Sequence, residues 1–233
     1  MSAPRAKVSL VRRVLLWALG LLVLAPLALA FLYRYVPPPL TPLMAIRAIE
    51  GDGLSQEWVS LEDLPAHVPL AVMASEDNRF CRHVGFDPVE IDKAVRDWRR
   101  GKGLRGASTL SMQVTRNLFL WPGGGWPRKA LEALWTPMVE LVLGKRRIME
   151  LYLNIAETGR GTFGVGAAAE RQFGKPAGDL TKTEAARLAA VLPDPRGRRA
   201  NPPSAYIRNQ GRIILGRMND IRPLMDCLGL GRG

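Results

Sequence analysis

The sequence predicts an all-α (mostly helical) body preceded by one transmembrane helix. Three observations carry that expectation. A run of twenty uncharged, mostly apolar residues stands near the start. Beyond it, apolar residues recur at three- and four-residue spacing in one segment after another. Strand-like alternation is confined to residues 58–61 at most.

Composition sets the outer bounds. The chain has 233 residues, 47% of them apolar, and 33 Lys+Arg against 21 Asp+Glu give a formal charge of +12. That apolar content excludes a disordered chain, and two cysteines exclude a disulfide-dense scaffold. No internal period of a solenoid repeat is visible. Mean hydropathy near zero in a chain that is 23% charged requires the apolar weight to be concentrated in one place.

That place is residues 14–33, VLLWALGLLVLAPLALAFLY. At ~1.5 Å per residue a helix of this length crosses a ~30 Å hydrocarbon layer. Arg5, Lys7, Arg12 and Arg13 precede it, whereas the first acidic residue is Glu50. This asymmetry predicts a cytoplasmic N-terminus and a body beyond Arg34 on the far side. Trp17 and Tyr33 suit the interfacial belts. Ala28-Leu29-Ala30 resembles a cleavage site, so a removed signal peptide is the alternative. The run continues through Phe31, Leu32 and Tyr33, longer than a signal core, which favours an uncleaved anchor. The expected organisation is a basic tail at 1–13, a transmembrane helix at 14–34, a linker with a stiff Pro37-Pro38-Pro39 spacer at 35–55, a body at 56–220 and a tail at 221–233.

Six of the 33 basic residues precede Glu50 and no acidic one does, so the remainder stays at about +6 and is rich in Arg. Such a body beside a membrane suggests anionic headgroups or phosphate-bearing substrates. Nucleic acid is not expected as a partner outside the cytoplasm. Cys81 and Cys227 would meet an oxidising compartment, and whether they pair stays open.

The elements follow in order. Val68, Val72 and Phe80 lie at roughly helical spacing, with Glu76-Asp77 among them. Residues 89–98 place Ile91, Ala94, Val95 and Trp98 on one face behind an Asp87-Pro88 start. A glycine-rich loop at 101–106 leads to a helix at 107–120, where Leu110, Val114 and Leu118 recur and Ser108-Thr109 can cap the start. After a flexible loop between Trp121 and Trp126, residues 131, 134, 135, 138, 141 and 142 mark an amphipathic helix, bent at Pro137 and closed by Gly144. Residues 145–155 continue with Ile148, Leu151, Tyr152 and Ile155 inward. A glycine-rich stretch at 159–166 and a short helix at 167–173 follow. Thr181 with Glu184 forms a capping box for 182–192, and a last helix spans 204–218.

Three segments could carry chemistry. Glu76-Asp77 sits inside an apolar run, where a carboxylate gains proton affinity and can act as a base; acids beside the positive end of a helix are the plain alternative. Glu132 follows Arg128 and Lys129 on one helical face, and Glu150 follows Lys145, Arg146 and Arg147; both spacings also suit ordinary surface ion pairs. Ser108, Thr109, Gln113, Arg116 and Asn117 give one helical side a polar lining. Together these supply carboxylates, hydroxyls and cations, the mixture a sugar–phosphate substrate requires.

Glu76-Asp-Asn-Arg-Phe80-Cys-Arg-His83-Val-Gly85 resembles the E-D-x-x-F-x-x-H-x-G motif of the peptidoglycan glycosyltransferases. Gly106-Ala-Ser-Thr-Leu-Ser-Met-Gln113 is similar to G-x-S-T-x-x-Q-Q, Arg128-Lys-Ala-Leu-Glu132 to R-K-x-x-E, and residues 145–154, KRRIMELYLN, to K-x-x-I-L-E-x-Y-L-N. Residues 161–169 and 188–195 match the family's later stretches, and the order holds from about residue 60 to 218. The resemblance implies a lysozyme-like body with a small membrane-contacting subdomain, to which the Trp121–Trp126 loop would belong. It implies polymerisation of lipid II into β-1,4 glycan strands with loss of undecaprenyl pyrophosphate, at the periplasmic face of the inner membrane. Without Ser-x-x-Lys or Lys-Thr-Gly, the monofunctional form is expected, with no transpeptidase activity.

Carried onto this chain, the family's roles make Glu76 the general base and place Glu132 at the pyrophosphate, either holding a divalent cation (Mg or Mn) or organising the basic residues. Arg116, Arg128, Lys129 and Lys145 would bind pyrophosphate, while Asp77, Ser108, Thr109, Gln113, Asn117 and Glu150 would complete the substrate site. No organic cofactor is expected; the membrane, the lipid-linked chain and other cell-wall synthesis or division proteins are the expected partners. Arg116 stands where the family usually has Lys, and Met112 where it has the first Gln of its pair. Thr158, Gly166 and Gln172 replace a common Trp, Glu and Tyr. A glycan-cleaving enzyme would also use two carboxylates, and a non-catalytic scaffold would tolerate those departures. The basic cleft and the anchor argue for the polymerase.

Overall fold

The computed structural model describes residues 4–103 and 106–230. The side chains of Arg5 and Lys7 and the Leu104-Arg105 part of the glycine-rich loop lie outside the described residues.

Helix α1 (Pro4–Tyr33) is continuous through Pro26, and its Arg12–Tyr33 stretch is long and apolar enough to cross a membrane by length and composition. Most of it is uncovered, with Leu16, Trp17 and Leu21 exposed. Its C-terminal end is docked. Ala30 belongs to the core, Arg147 Nε donates to the Tyr33 carbonyl at 2.8 Å, Arg34 Nη1 donates to the Val142 carbonyl at 2.8 Å, and the Tyr33 ring stacks on Phe119.

Residues 35–55, expected to be linker, instead carry helix α2 (Pro42–Ile49). Thr41 caps it, Pro42 opens it, and Met44 is fully buried, so the segment is part of the body. The stretch at 58–61 is not a strand. The sheet is small: β1 (Ser55–Gln56) pairs in parallel with β3 (Thr162–Phe163), which pairs antiparallel with β2 (Glu157–Gly159). The body is otherwise helical, as expected.

Helix α3 (His67–Glu76) is buried from Val68 through Ala74, the behaviour of a core helix that is apolar on every side. Glu76 and Asp77 therefore lie at its C-terminal, negative end and not at a helix start. A 3-10 turn, Phe80–Arg82, follows with Phe80 fully buried. Helix α4 (Pro88–Arg99) is capped by Asp87, whose Oδ1 accepts from the amides of Val89 and Glu90. Only Ala94 is buried; Ile91, Val95 and Trp98 are exposed.

Helix α5 (Leu110–Phe119) starts at the Thr109 cap and buries Leu110, Val114 and Leu118. It packs along α6 (Gly125–Ile155), which breaks at Gly144, where φ is +71° and glycine alone is unstrained. Leu134 and Leu141 of α6 are exposed, Leu141 to 83%. Helix α7 (Gly164–Phe173) follows β3. Helices α8 (Lys182–Val191), with its Thr181–Glu184 capping box, and α9 (Ala205–Ile221), capped by Ser204, pack across α3 and close the core around it. Cys81 and Cys227 are disulfide-bonded, which staples the C-terminal turns to the 3-10 turn after α3.

Candidate active site

Glu76 is the last residue of α3 and stands at the edge of a polar cleft of about 350 Å³ that Asp77, Ser108 and Thr109 also line. Gln113 Nε2 donates to Glu76 Oε2 at 3.1 Å. The Ser75 hydroxyl lies 3.3 Å from Glu76 Oε1 and 3.2 Å from the Ala189 carbonyl, and its single proton serves one of them at a time. Among the described residues Glu76 has no salt bridge. Burial raises its proton affinity, the Gln113 and Ser75 hydrogen bonds and the Arg116 charge lower it, Asp77 raises it, and the net shift is upward. A carboxyl held this way is suited to take a proton near neutral pH.

Glu132 is the opposite case. It is fully buried on α6, yet Arg128 Nη1 reaches one carboxylate oxygen and Lys129 Nζ the other. The expected ion pair thus exists but is not a surface pair. Lys129 Nζ also donates to the Ser108 hydroxyl at 3.0 Å, so the pair reaches the rim of the Glu76 cleft. On its other side Arg128 lines a second cleft, of about 180 Å³, with Arg116, Asn117 and Arg47. Three arginines around one hollow suit a diphosphate. The donor set does not fit a divalent cation on Glu132, because both oxygens are engaged by cations already.

Several expected residues border the clefts with their polar groups turned inward. Asp77 faces His83 Nε2 through both oxygens at 3.0 Å, and its Oδ2 accepts from the Leu110 amide at 3.0 Å. It braces the end of α3 against the start of α5. Asp87 completes a buried trio with Asp77 and His83 but caps α4 and lies 3.2 Å from Arg79, so the trio is committed within the fold. The Thr109 hydroxyl donates to the Gly85 carbonyl while accepting from Met112. Lys145 and Glu150 line neither cleft: Lys145 pairs with Glu140 at 2.7 Å over the Phe80 ring, and Glu150 pairs with Arg147 at 2.7 Å.

The sequence reading missed Arg79, Lys93 and Arg217, which supply positive charge around Glu76. Arg79 stood inside the first motif, but nothing in the chain marks Arg217 of α9. The departures at 112, 158, 166 and 172 are all structural. Met112 is buried, and the Thr158 hydroxyl bonds within the strand region. A Cβ on Gly166 would fall 2.6 Å from the Glu57 carbonyl oxygen, so the backbone approach excludes a side chain there. Gln172 accepts from the Ala200 amide and donates to the Thr158 carbonyl.

Comparison with known proteins agrees with this geometry. A family model described as Transglycosylase matches residues 44–219. A biosynthetic peptidoglycan transglycosylase of Rhodospirillum centenum is 50% identical over 214 residues, covering 91% of this chain and 92% of that protein. Proteins of the same name from Caulobacter vibrioides and Salmonella arizonae are 42% and 48% identical, over 94% and 82% of this chain and 96% and 82% of theirs.

Proposed function

The chain belongs to the transglycosylase family and is a peptidoglycan glycosyltransferase, and from that premise we propose that it polymerises lipid II, with Glu76 as general base. Glu76 takes the proton from the 4-hydroxyl of the acceptor sugar. The freed oxygen bonds to the anomeric carbon of the lipid-linked chain from the face opposite the diphosphate, with inversion. The anomeric carbon–oxygen bond breaks and undecaprenyl pyrophosphate leaves. Arg116, Arg128 and Lys129 meet the charge that develops on the departing diphosphate, and Glu132 holds Arg128 and Lys129 at that position. Glu132 would not hold the expected magnesium or manganese, since both of its oxygens are engaged; the ion would supply its charge at the substrate's diphosphate instead.

One observation carries the proposal. A half-buried carboxyl of raised proton affinity is held by an amide at the cleft edge, while a second, fully buried carboxylate is collared by two cations. Such a divergence separates a base from a charge organiser. The anchor reading is supported by α1, whose docked end would place the cleft beside the bilayer of the inner membrane with the body periplasmic. The exposed apolar side chains of Trp98, Trp121, Trp126 and Leu141 would then meet lipid.

Purified full-length protein in detergent, given lipid II and a divalent cation, is expected to form polymer, and Glu76→Gln to form none. Near-normal polymerisation by Glu76→Gln would overturn the base assignment. Digestion of finished glycan would make the chain a hydrolase, and neither activity would make it a scaffold.

A further inference from the structure

Tyr152 lines neither polar cleft, yet it bonds the side chain that holds Glu76. It lies on α6, 2% exposed, among Val68, Val72 and Leu188. Its hydroxyl donates to Gln113 Oε1 at 3.3 Å, and Gln113 Nε2 donates to Glu76 Oε2 at 3.1 Å. The two ends of an amide are not equivalent, since the oxygen only accepts and the nitrogen only donates. An ionised carboxylate also only accepts, so Gln113 supports the base in one orientation and opposes it in the other. Ser75 is no substitute, because its proton is shared with the Ala189 carbonyl.

We propose that Tyr152 is a positioning residue for the reaction: its hydroxyl pins the Gln113 amide in the orientation that donates to Glu76. The relay runs α6 to α5 to α3 and joins three elements at the base. Burial and the nearby Glu76 charge push the Tyr152 phenol well above its ordinary range, so it remains a donor throughout the working pH. The proposal rests on the reading of Glu76 as base, but its geometry can be tested apart from that reading.

Tyr152→Phe keeps the ring and removes only the hydroxyl. Carbon-13 NMR of glutamate-labelled full-length protein in micelles, with the Glu76 signal assigned by its loss in Glu76→Gln, would give the Glu76 titration directly. In Tyr152→Phe its midpoint is expected to rise by about half to one pH unit, the size of a partly lost charge-assisted hydrogen bond. The acid limb of the polymerisation rate should move up with it, the rate should recover on the alkaline side, and KM for lipid II should stay within about twofold. Gln113→Met should shift the midpoint at least as far, and adding Tyr152→Phe to it should add nothing. A Tyr152→Phe protein that melts earlier while Glu76 titrates unchanged would overturn the proposal and leave Tyr152 as core filling. A moved titration with an unmoved rate profile would uphold the relay and refute Glu76 as the base.

Discussion

The Lys129 ammonium donates to the Ser108 hydroxyl across 3.0 Å, which ties the helix carrying Glu132 to the loop beside Glu76. The same ammonium is ion-paired with Glu132. Two carboxylates thus stand in opposite surroundings, one in direct contact with two cations and one held by an amide and a hydroxyl with no ion pair among the described residues. Neutralising each by Glu→Gln should change stability in opposite directions.

Glu76 has a raised proton affinity in the folded chain. Between the ordinary glutamate value of about 4.3 and its raised value, the folded state binds more protons than the unfolded state, so stability falls as pH rises through that window. Glu76→Gln cannot ionise and escapes this loss. It should be inactive but more stable at neutral pH, with a higher Tm than the parent. Below about pH 4, where both states protonate the carboxyl, the gain should vanish. Thermal melts at pH 4 and 7.5 check this, and a variant less stable than the parent at pH 7.5 would contradict it.

Glu132→Gln should be destabilising. It leaves Arg128 and Lys129 facing each other without a counter-charge around a buried position. Removing one member of a fully buried pair costs about 3–5 kcal/mol; Arg128 and Lys129 retain side-chain exposures of 13% and 36%, so about 1–2 kcal/mol is expected here. Polymerisation should fall at least tenfold, because the cations lose their alignment. Unchanged melting and unchanged rate together would reduce the pair to an ornament of the helix.

The helices and the two carboxylates were legible in the sequence because local spacing records them. Thr109, Thr181 and Ser204 cap where their side chains sit in the chain. Periodicity marks a face as apolar without saying what covers it, and Ile91, Val95, Trp98 and Leu141 are exposed. Helix α2 was hidden by its prolines, one of which opens a helix rather than ending one. Strands of two or three residues are too short to show a period. Tyr152 and Gln113 are 39 residues apart on different helices, and no spacing rule connects them. Cys81 and Cys227, separated by 146 positions, are joined only by the fold.

That disulfide predicts a redox-dependent stability. Cys227 sits in the C-terminal turns, which also receive Arg146 at the Leu228 carbonyl, and Cys81 lies between Phe80 and the His83 that braces Asp77. Replacing both cysteines by serine should cost about 2–4 kcal/mol. Reducing agent should lower the Tm of the parent protein and leave that of the double variant unchanged. Equal melting of parent and variant without reductant would show that the staple contributes nothing.

The end of α1 packs as part of the body. Ala30 lies in the core, Tyr33 stacks on Phe119, and two arginine-to-carbonyl bonds clamp the helix end, Arg147 to Tyr33 and Arg34 to Val142. A chain beginning at Pro37 would lose all of these, leaving Phe119 and Val142 uncovered and Arg147 Nε without its carbonyl, although Arg147 keeps its pair with Glu150. Exposed apolar surface of this kind favours association. The truncated body should therefore melt several degrees below the full chain in the same detergent and aggregate when detergent is withdrawn. Arg147→Ala in the full chain should reproduce part of the drop, while Arg12→Ala, on the exposed far part of α1, should not. A truncated body as stable as the full chain, and monomeric without detergent, would show that α1 adds nothing to the body's packing.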